Sequence, residues 1–500
     1  MNYTKRVVKG TTIVFVMSII SAVLGFFLRA FLARNLSVAE FGLLYSVLAF
    51  IGLFSLFRDI GLNPALIKYI PEYVLKKDKK AIKSAFVFVF LVQISISTLA
   101  MVPVFVFSDF FAKEFFKTPL SIPVLHFFAL TFIASVLFHL LQAFFQGFQK
   151  MGFYSILEPM RLIFVFGTSI VLISFGLGVK GVSIGYFLGI ILAILIGSLI
   201  LLKTFPLFSI KGKIDGGLIN HLFKFAFPVI LAGVASASVG YADTILLTYF
   251  KNLEEVGYYQ VAIPISDAAG LFVGAMSIVL FPMVSELWAL KKKRTVTNGI
   301  HLTIKISLLV LIPVTAIVIS SPEIIISILF TDKYLPAAAP LQILTVGIVF
   351  QSLTIILFFL LKGIGRPMVA TKAVVIMAIM NLVTNVLLIP PFGILGAAIA
   401  TAITSIVTFL ITVTMTSRYI HLKLSYMPVV KIVFSGIIMA LVIIGIKPLM
   451  PDNNIVKFSI TSLMGIVLYI SLVFVLGAIK KREIKILATS FPKINNRTKK

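Results

Sequence analysis

Cysteine is absent from this 500-residue sequence, which excludes disulfides, thiolate metal sites and thiol catalysis. The five histidines are scattered without the spacing of metal ligands, and His301 has no carboxylate beside it, so we expect no metal site. Charged residues are also scarce, at 12% of the chain, whereas soluble proteins carry about 25%. The composition therefore excludes an ordinary soluble domain.

Apolar runs long enough to cross a membrane fill most of the chain. Hydrophobic residues make up 60% of it and the mean hydropathy is +1.12, and a helix needs roughly 20 apolar residues to span a bilayer. The sequence predicts an all-α integral membrane protein of about fourteen spans, each near that length. The predicted spans cover residues 11–33, 41–67, 82–107, 120–147, 153–175, 180–202, 218–250, 256–287, 298–320, 337–361, 368–389, 393–416, 428–446 and 457–478. The first run is longer than the apolar region of a signal peptide, so we expect it to be retained.

The charge is strongly basic, with 44 Lys and Arg against 17 Asp and Glu and a net charge of +27. We expect no nucleic-acid partner, because the basic residues are confined to short segments between apolar runs. With the N-terminus inside, 29 of the 44 basic residues fall on inside segments and 9 on outside segments. Cytoplasmic loops carry the excess of Lys and Arg, so the ratio predicts that both termini are cytoplasmic. We expect the basic tail at 480–500 to lie beside anionic lipid.

A shift of 215 residues reveals an internal repeat. It matches four pairs of glycines: Gly25 with Gly240, Gly42 with Gly257, Gly178 with Gly393, and Gly181 with Gly396. Each copy holds six predicted spans, so both copies have the same orientation, as in the parallel repeats of transporters. We predict an N-terminal lobe at 1–213, a C-terminal lobe at 214–420, two further spans within 421–479, and the tail at 480–500. Two lobes around a central cavity are the architecture of alternating access.

Five basic residues in or near the spans are candidate ligands for an anionic head group: Arg29, Arg34, Arg58, Arg161 and Lys305. Ionisable groups within spans are costly and are usually functional or paired. Arg58 lies too deep in the second span to reach the interface easily. Arg29 and Arg34 lie near the outer end of the first span, where Arg29 either extends outward or points into the central space. Guanidinium binds phosphate bidentately, so an arginine-edged cavity predicts a phosphate or diphosphate ligand.

Four acidic residues also lie within predicted spans: Asp59, Glu158, Asp243 and Asp267. Glu158 and Arg161 are spaced i,i+3, so we expect them to form a pair on one helix face. Asp243 and Asp267 either bind a coupling cation or proton, or pair with the arginines. Asp59 follows Arg58 directly and points about 100° away around the helix.

Four stretches of the sequence carry a family resemblance: residues 32–42 (LARNLSVAEFG), 57–65 (FRDIGLNPA), 71–73 (PEY) and 393–401 (GILGAAIAT). In their order and spacing they resemble polysaccharide-type flippases of the multidrug/oligosaccharidyl-lipid/polysaccharide exporter superfamily. The resemblance implies a flippase that moves a polyprenyl-(di)phosphate-linked oligosaccharide from the cytoplasmic to the outer leaflet, for assembly of cell-surface polysaccharide. Related lipid II flippases use arginines of the first two spans, which points to Arg29 and Arg58. In those relatives the two extra C-terminal helices form a groove for the lipid tail.

Two other function classes compete with a flippase. A cation-coupled multidrug or organic-cation antiporter of the same superfamily ranks second, because such proteins usually have twelve spans and rely on carboxylates. A membrane glycosyltransferase or polymerase ranks third, since the longest outer loops carry few acids. We expect no cofactor beyond a coupling Na⁺ or H⁺, and partners limited to membrane lipids and the lipid-linked oligosaccharide. We also expect a monomer in the plasma membrane of a bacterium or archaeon.

Overall fold

The computed structural model describes residues 3–206, 209–210, 240–420 and 426–478, and every regular element in these ranges is a helix. The longer helices are α1 (Tyr3–Asn35), α2 (Val38–Leu53), α3 (Ser55–Asp59), α4 (Leu62–Leu75), α5 (Lys79–Val106), α6 (Ser121–Gly147), α7 (Met151–Ser174), α8 (Gly178–Thr204), α9 (240–250), α10 (Leu253–Ala289), α11 (Lys293–Ser320), α12 (Pro322–Leu329), α13 (Ala338–Gly363), α14 (Pro367–Ser417), α15 (Tyr426–Ile446) and α16 (Asn454–Val475). Short helical turns cover Ser108–Phe110, Phe111–Phe115, Asp332–Ala337 and Lys447–Leu449.

Eleven of the described helical ranges are long and apolar enough to cross a membrane, or twelve if the bent pair formed by α2 and residues 57–75 counts as one span. The 51-residue α14 contains two helices, because the backbone at Gly393 leaves helical geometry (φ 57°, ψ −132°). The predicted span at 218–250 lies outside the described residues except for 240–250, which is helical. The all-helical, multi-pass membrane architecture is therefore confirmed. The count of fourteen spans and the cytoplasmic termini stay predictions.

The second span differs from its prediction as one continuous helix over 41–67. Helix α2 ends at Leu53, and α4 resumes at Leu62 and runs to Leu75. The bend between α2 and the range Phe57–Leu75 is 53°. Ile60 and Gly61 have positive φ angles of 41° and 73° at the end of the break. Since an L-residue such as Ile60 rarely adopts this conformation, the surrounding contacts must hold the break in place.

A glutamate ties the start of α2 to the start of α8. The Glu40 carboxylate accepts from the backbone N–H of Ser37 (3.0 Å), and the Ser37 hydroxyl accepts from the N–H of Glu40 (3.2 Å), which completes a capping box. The same carboxylate accepts from the N–H of Val179 at 3.4 Å. Gly178 has φ +50°, and a Cβ there would lie 2.6 Å from Glu40 Oε1. A side chain at position 178 would therefore displace the cap.

The same arrangement recurs 215 residues later. The Asn252 side-chain oxygen accepts from the N–H of Glu255 at 2.9 Å, and the Glu255 carboxylate accepts from the N–H of Ile394 at 2.9 Å. Gly393 has φ +57°, and a Cβ there would lie 2.1 Å from Glu255 Oε2. Each of these residues stands 215 positions after its counterpart, so the repeat seen in the sequence is also a repeat of contacts.

Two repeat-related glycines touch each other's helices. A Cβ at Gly42 in α2 would lie 1.7 Å from the carbonyl oxygen of Leu253, and a Cβ at Gly257 in α10 would lie 2.4 Å from the carbonyl oxygen of Val38. The beginnings of α2 and α10 are therefore in backbone contact. Only glycine permits such an approach.

The contacts divide the chain into two compact units. The first comprises Met1–Val261 with Met377–Ala400, and the second comprises Ala262–Ile376 with Thr401–Lys500. Leu66, Phe86 and Phe144 belong to the apolar core of the first unit. The core of the second unit includes Ile432 and Tyr469 from the last two helices. The lobe boundaries drawn from the repeat stay a prediction.

Helices α7 and α8 pack closely in the first unit because three glycines of α8, at positions 181, 185 and 189, are spaced four residues apart. A Cβ at Gly185 would lie 2.7 Å from the Ser169 hydroxyl, and one at Gly189 would lie 2.6 Å from the backbone nitrogen of Val165. Small residues at this spacing let membrane helices approach backbone to backbone. The approach brings Tyr186 of α8 within electrostatic range of Arg161 of α7.

Candidate functional site

The break in the second span carries Arg58. This residue lies on the five-residue helix α3, between α2 and α4. The adjacent Asp59 fixes the end of the break, because its carboxylate accepts from the N–H of Asn63 at 2.9 Å and the Gln93 amide donates to its carbonyl oxygen at 3.0 Å. Discontinuous helices are where many transporters form substrate sites. Asp59 thus acts here as a helix cap that holds Arg58 at the break.

Arg58 points into a half-buried polar region of the first unit. Its Nη1 donates to the Ser135 hydroxyl at 3.5 Å, and its Cζ lies 5.9 Å from the centroid of the Phe132 ring. It is also close enough to Arg161 and Tyr241 to interact with them electrostatically. A guanidinium has five N–H donors, and the hydrogen bond to Ser135 uses one of those of Arg58, which leaves donors for a ligand.

Arg161 and Glu158 form the predicted pair on α7. Arg161 donates through Nε to Glu158 Oε2 at 3.1 Å and through Nη2 to Glu158 Oε1 at 2.5 Å. The Arg161 Cζ also lies 5.9 Å from the Phe138 ring centroid. The pair therefore holds the guanidinium in a fixed orientation while leaving its Nη1 edge for other acceptors.

Arg29 points into the protein, which decides between the two orientations that the sequence left open. Its Nη2 donates to Gln260 Oε1 at 2.6 Å, and its Cζ lies 4.1 Å from the centroid of the Tyr45 ring. Its Nε is buried and has no hydrogen-bond partner. Gln260 is oriented in turn by donating to the Thr244 hydroxyl at 2.7 Å. A buried unpaired donor on a fixed guanidinium suits an anionic ligand.

Two side chains each lie within electrostatic range of two of these arginines. Tyr186 interacts electrostatically with Arg29 and Arg161, and His139 interacts with Arg58 and Arg161. We call Arg29, Arg58 and Arg161 the arginine cluster. Sequence reasoning did not single out His139 or Tyr186, because only their proximity to the arginines in the folded chain sets them apart from other polar residues in spans.

Two other predicted basic residues are not part of this cluster. Arg34 lies exposed at the end of α1. Lys305 is half-buried in α11 of the second unit, and the acidic Asp267 lies exposed in α10 of the same unit. Three of the five basic candidates therefore belong to the cluster; Arg34 lies in the same unit but outside the cluster, and Lys305 lies in the second unit.

A polar cavity of about 400 Å³ opens next to the cluster in the first unit. Its lining comprises Val14, Ser18, Ser21, His139, Gln142, Tyr154, Ser155 and Glu158. These residues come from α1, α6 and α7. Seven of the eight side chains are polar, which is unusual within membrane-spanning helices and marks a place where a polar ligand or water enters.

Asp243 lies in a separate polar group of the first unit. Its carboxylate accepts from the Tyr259 hydroxyl at 2.7 Å and from the Asn385 amide at 2.6 Å. The side-chain oxygens of Asn385 and of Asn381, one turn earlier, are buried without a hydrogen-bond partner. Carboxylate and amide oxygens are ligands of hard cations, so these residues fit a coupling cation. Within the described ranges, no group of three or more His, Cys, Asp or Glu could hold a metal ion.

Comparisons with known proteins agree with the fold. Residues 7–288 match the family described as "Polysaccharide biosynthesis protein", and residues 228–387 match the family named MatE. The chain is 31% identical to the uncharacterized membrane protein MJ1068 of Methanocaldococcus jannaschii, over 97% of this chain and 98% of the relative. It is 25% identical to the probable low-salt glycan biosynthesis flippase Agl15 of Haloferax volcanii, over 96% of this chain and 98% of the relative.

Two further matches are more distant. The multidrug resistance protein NorM of Vibrio cholerae is 24% identical, but over only 37% of this chain and 42% of NorM. Among solved structures, the lipid II flippase MurJ in an inward closed conformation superposes with a TM-score of 0.75 at 19% identity, covering 92% of this chain and 97% of that one. This likeness shows the fold and extends over nearly the whole chain.

Proposed function

The chain belongs to the family of polysaccharide biosynthesis proteins, and we propose that it is a flippase for a polyprenyl-(di)phosphate-linked oligosaccharide. It is a membrane transporter rather than an enzyme. The proposed cycle moves the lipid from the cytoplasmic to the outer leaflet of the plasma membrane by alternating access. The observation that carries the proposal is the arginine cluster in the polar interior of the first unit.

Charge favours an anionic substrate over an organic cation. The three guanidiniums of the cluster have two acids beside them, Glu158 on Arg161 and Asp59 next to Arg58. The site therefore keeps net positive charge at a depth where an unpaired charge is costly. A phosphate or diphosphate supplies the missing negative charge and accepts the bidentate hydrogen bonds that guanidinium offers.

The relatives support the same substrate class. Agl15, which is named a probable glycan biosynthesis flippase, aligns with this chain from end to end. We infer that this chain serves assembly of a surface glycan and acts as a monomer, since the predicted repeat supplies both lobes in one polypeptide.

Leaflet transfer in proteoliposomes tests this function. The purified full chain is reconstituted with a fluorescent polyprenyl-diphosphate oligosaccharide in one leaflet, and arrival in the other leaflet is read by a membrane-impermeant glycosidase. We expect transfer well above that of protein-free vesicles. Absence of transfer, together with gradient-driven uptake of an organic cation such as ethidium, would replace the flippase with the second candidate, a multidrug antiporter. NorM favours that candidate over part of the chain.

We propose that Asp243 binds the coupling cation, with the side-chain oxygen of Asn381 as a further ligand and Asn385 holding the carboxylate in place through its amide nitrogen. Asp243→Asn removes the negative charge while keeping the side-chain shape. We expect this variant to lose the dependence of transfer on an imposed Na⁺ or H⁺ gradient, and to run about tenfold slower under the gradient, because one charge-assisted interaction is gone.

The matched control for this change is Asp332→Asn, which removes an exposed carboxylate. We expect the control to keep the gradient response of the wild type. A wild type that ignores both gradients, or an Asp243→Asn variant that responds normally to them, would exclude Asp243 as the coupling site.

A further inference from the structure

The polar cavity beside the arginine cluster has the chemistry of a carbohydrate site. The Ser18 and Ser21 hydroxyls donate to carbonyl oxygens of their own helix, Val14 and Met17, each at 2.9 Å. Their oxygens are therefore left as acceptors for donors from a ligand. The carboxylate of Glu158 adds stronger acceptors. A sugar presents several hydroxyls that donate to such groups.

The same lining supplies donors and an aromatic face. The His139 Nδ1 and Gln142 Oε1 lie 3.0 Å apart and hold each other in place, which leaves the Gln142 amide nitrogen to donate. Tyr154 contributes a ring and a hydroxyl to the same lining. The volume of about 400 Å³ falls within the range of about 300–1,000 Å³ that is typical of small-molecule sites. The cavity is therefore large enough for a sugar ring.

The cavity and the arginine cluster share residues. Glu158 lines the cavity and also pairs with Arg161. His139 lines the cavity and interacts with both Arg58 and Arg161. A ligand in the cavity therefore lies directly beside the proposed phosphate site. In a lipid-linked oligosaccharide, the first sugar is attached directly to the phosphate.

We propose that this cavity binds the first sugar of the lipid-linked oligosaccharide, an inference that rests on the proposed function. The arginine cluster holds the diphosphate, and Gln142, Ser155 and Glu158 bind the hydroxyl or acetamido groups of the attached sugar. A cation is a poorer occupant, because Arg161 already neutralises the charge of the Glu158 carboxylate, whose second lone pairs still accept from sugar hydroxyls. The cavity thus makes the protein selective for a glycosylated lipid over the bare carrier.

Binding of paired lipids to the purified full chain tests this inference. The probes are a polyprenyl diphosphate and the same lipid carrying one hexose or one N-acetylhexosamine. We expect the wild type to bind at least one sugar-bearing lipid about tenfold more tightly than the bare lipid, as two or so added hydrogen bonds would give.

Two variants test which residues give this preference. Gln142→Ala removes a hydrogen-bond donor, and Ser155→Leu fills the cavity at a buried position. We expect both variants to bind the sugar-bearing lipid no better than the bare lipid, with bare-lipid affinity unchanged.

Controls separate this inference from the proposed function. Ser174→Leu adds the same bulk at an exposed position of α7 and should keep the wild-type preference for the sugar-bearing lipid. Arg58→Ala should weaken the binding of both the bare and the sugar-bearing lipid. Equal binding of bare and sugar-bearing lipids by the wild type, or a preference that survives Gln142→Ala and Ser155→Leu, would overturn the sugar site and leave the flippase standing. A wild type that binds none of these lipids would overturn the flippase itself. If Ser155→Leu does not fold, the test rests on Gln142→Ala alone: loss of the preference for the sugar-bearing lipid supports the sugar site, and survival of that preference overturns it.

Discussion

Replacing Arg58 with alanine is expected to reduce leaflet transfer of the lipid-linked oligosaccharide by about a hundredfold or more, since removing one partner of a buried charge pair costs roughly 3–5 kcal/mol. The guanidinium lies on the short helix at the break of the second span, and a phosphate bound there loses its bidentate donor. The measurement is the initial rate of transfer in proteoliposomes, at equal reconstituted protein.

The fold should survive this change, because the contacts that hold the break belong to Asp59. Its hydrogen bonds with Asn63 and Gln93 do not involve the Arg58 side chain. Size-exclusion profiles and thermal unfolding of the Arg58→Ala variant should therefore match the wild type closely.

Two further substitutions show whether the guanidinium itself matters. Arg58→Lys keeps the positive charge but loses the planar guanidinium that binds phosphate through two hydrogen bonds. We therefore expect a transfer rate between those of the wild type and Arg58→Ala. Arg294→Ala removes an exposed arginine near the start of α11 and should leave the rate unchanged. A well-folded Arg58→Ala variant that transfers lipid at the wild-type rate would show that Arg58 does not bind the phosphate.

Helix positions follow from the sequence because the membrane imposes a simple rule. Apolar runs near 20 residues form spans, and the long ones are found close to where hydropathy places them. Ionisable residues inside those runs are rare, so Arg29, Arg58 and the Glu158–Arg161 pair are visible as candidates from the sequence alone. The structure places all four in the first unit.

The break beside Arg58 was not predictable, because its causes are tertiary. No proline lies between Leu53 and Leu62, and Gly61 alone is a weak signal. The break is held by Gln93, a residue from the next span, and by the cap from Asp59. A sequence-based prediction that treats each span by itself cannot identify a contact between two spans, such as the hydrogen bond from Gln93 to Asp59.

The neutral partners of the cluster escape sequence reasoning for a related reason. Gln260 orients Arg29 from a helix 231 residues away in the chain, and Tyr45 packs against the same guanidinium. Uncharged polar residues in spans are common enough that only their contacts distinguish them. The repeat, in contrast, predicted that Gly42 and Gly257 are equivalent, but not that they meet.

Gly42→Leu is expected to stop transfer almost completely, by about a hundredfold, while substrate binding remains. A Cβ at this position would lie 1.7 Å from the Leu253 carbonyl oxygen and 2.9 Å from the Gly257 nitrogen. Both are backbone atoms, so the helices rather than a side chain must move, and α2 and α10 separate at their beginnings. Both glycines lie in the first compact unit, so this expectation depends on the lobe boundaries predicted from the repeat, which assign the two glycines to different lobes. Alternating access requires contacts between lobes to form and part in each cycle.

The cysteine-free chain allows this contact to be measured directly. Ala39 and Glu254 line one cavity of about 380 Å³ at the same crossing, so cysteines at both positions should be joined by a bifunctional thiol reagent whose spacer crosses that cavity. We expect the cross-link in the parent protein and its loss when Gly42→Leu is added. Gly167→Leu is the matched control, because a Cβ there meets nothing within 4 Å, and it should keep both the cross-link and transfer. A Gly42→Leu protein that still cross-links and transports would mean that α2 and α10 accommodate a side chain at position 42. Glycine would then not be required for the contact between these two helices.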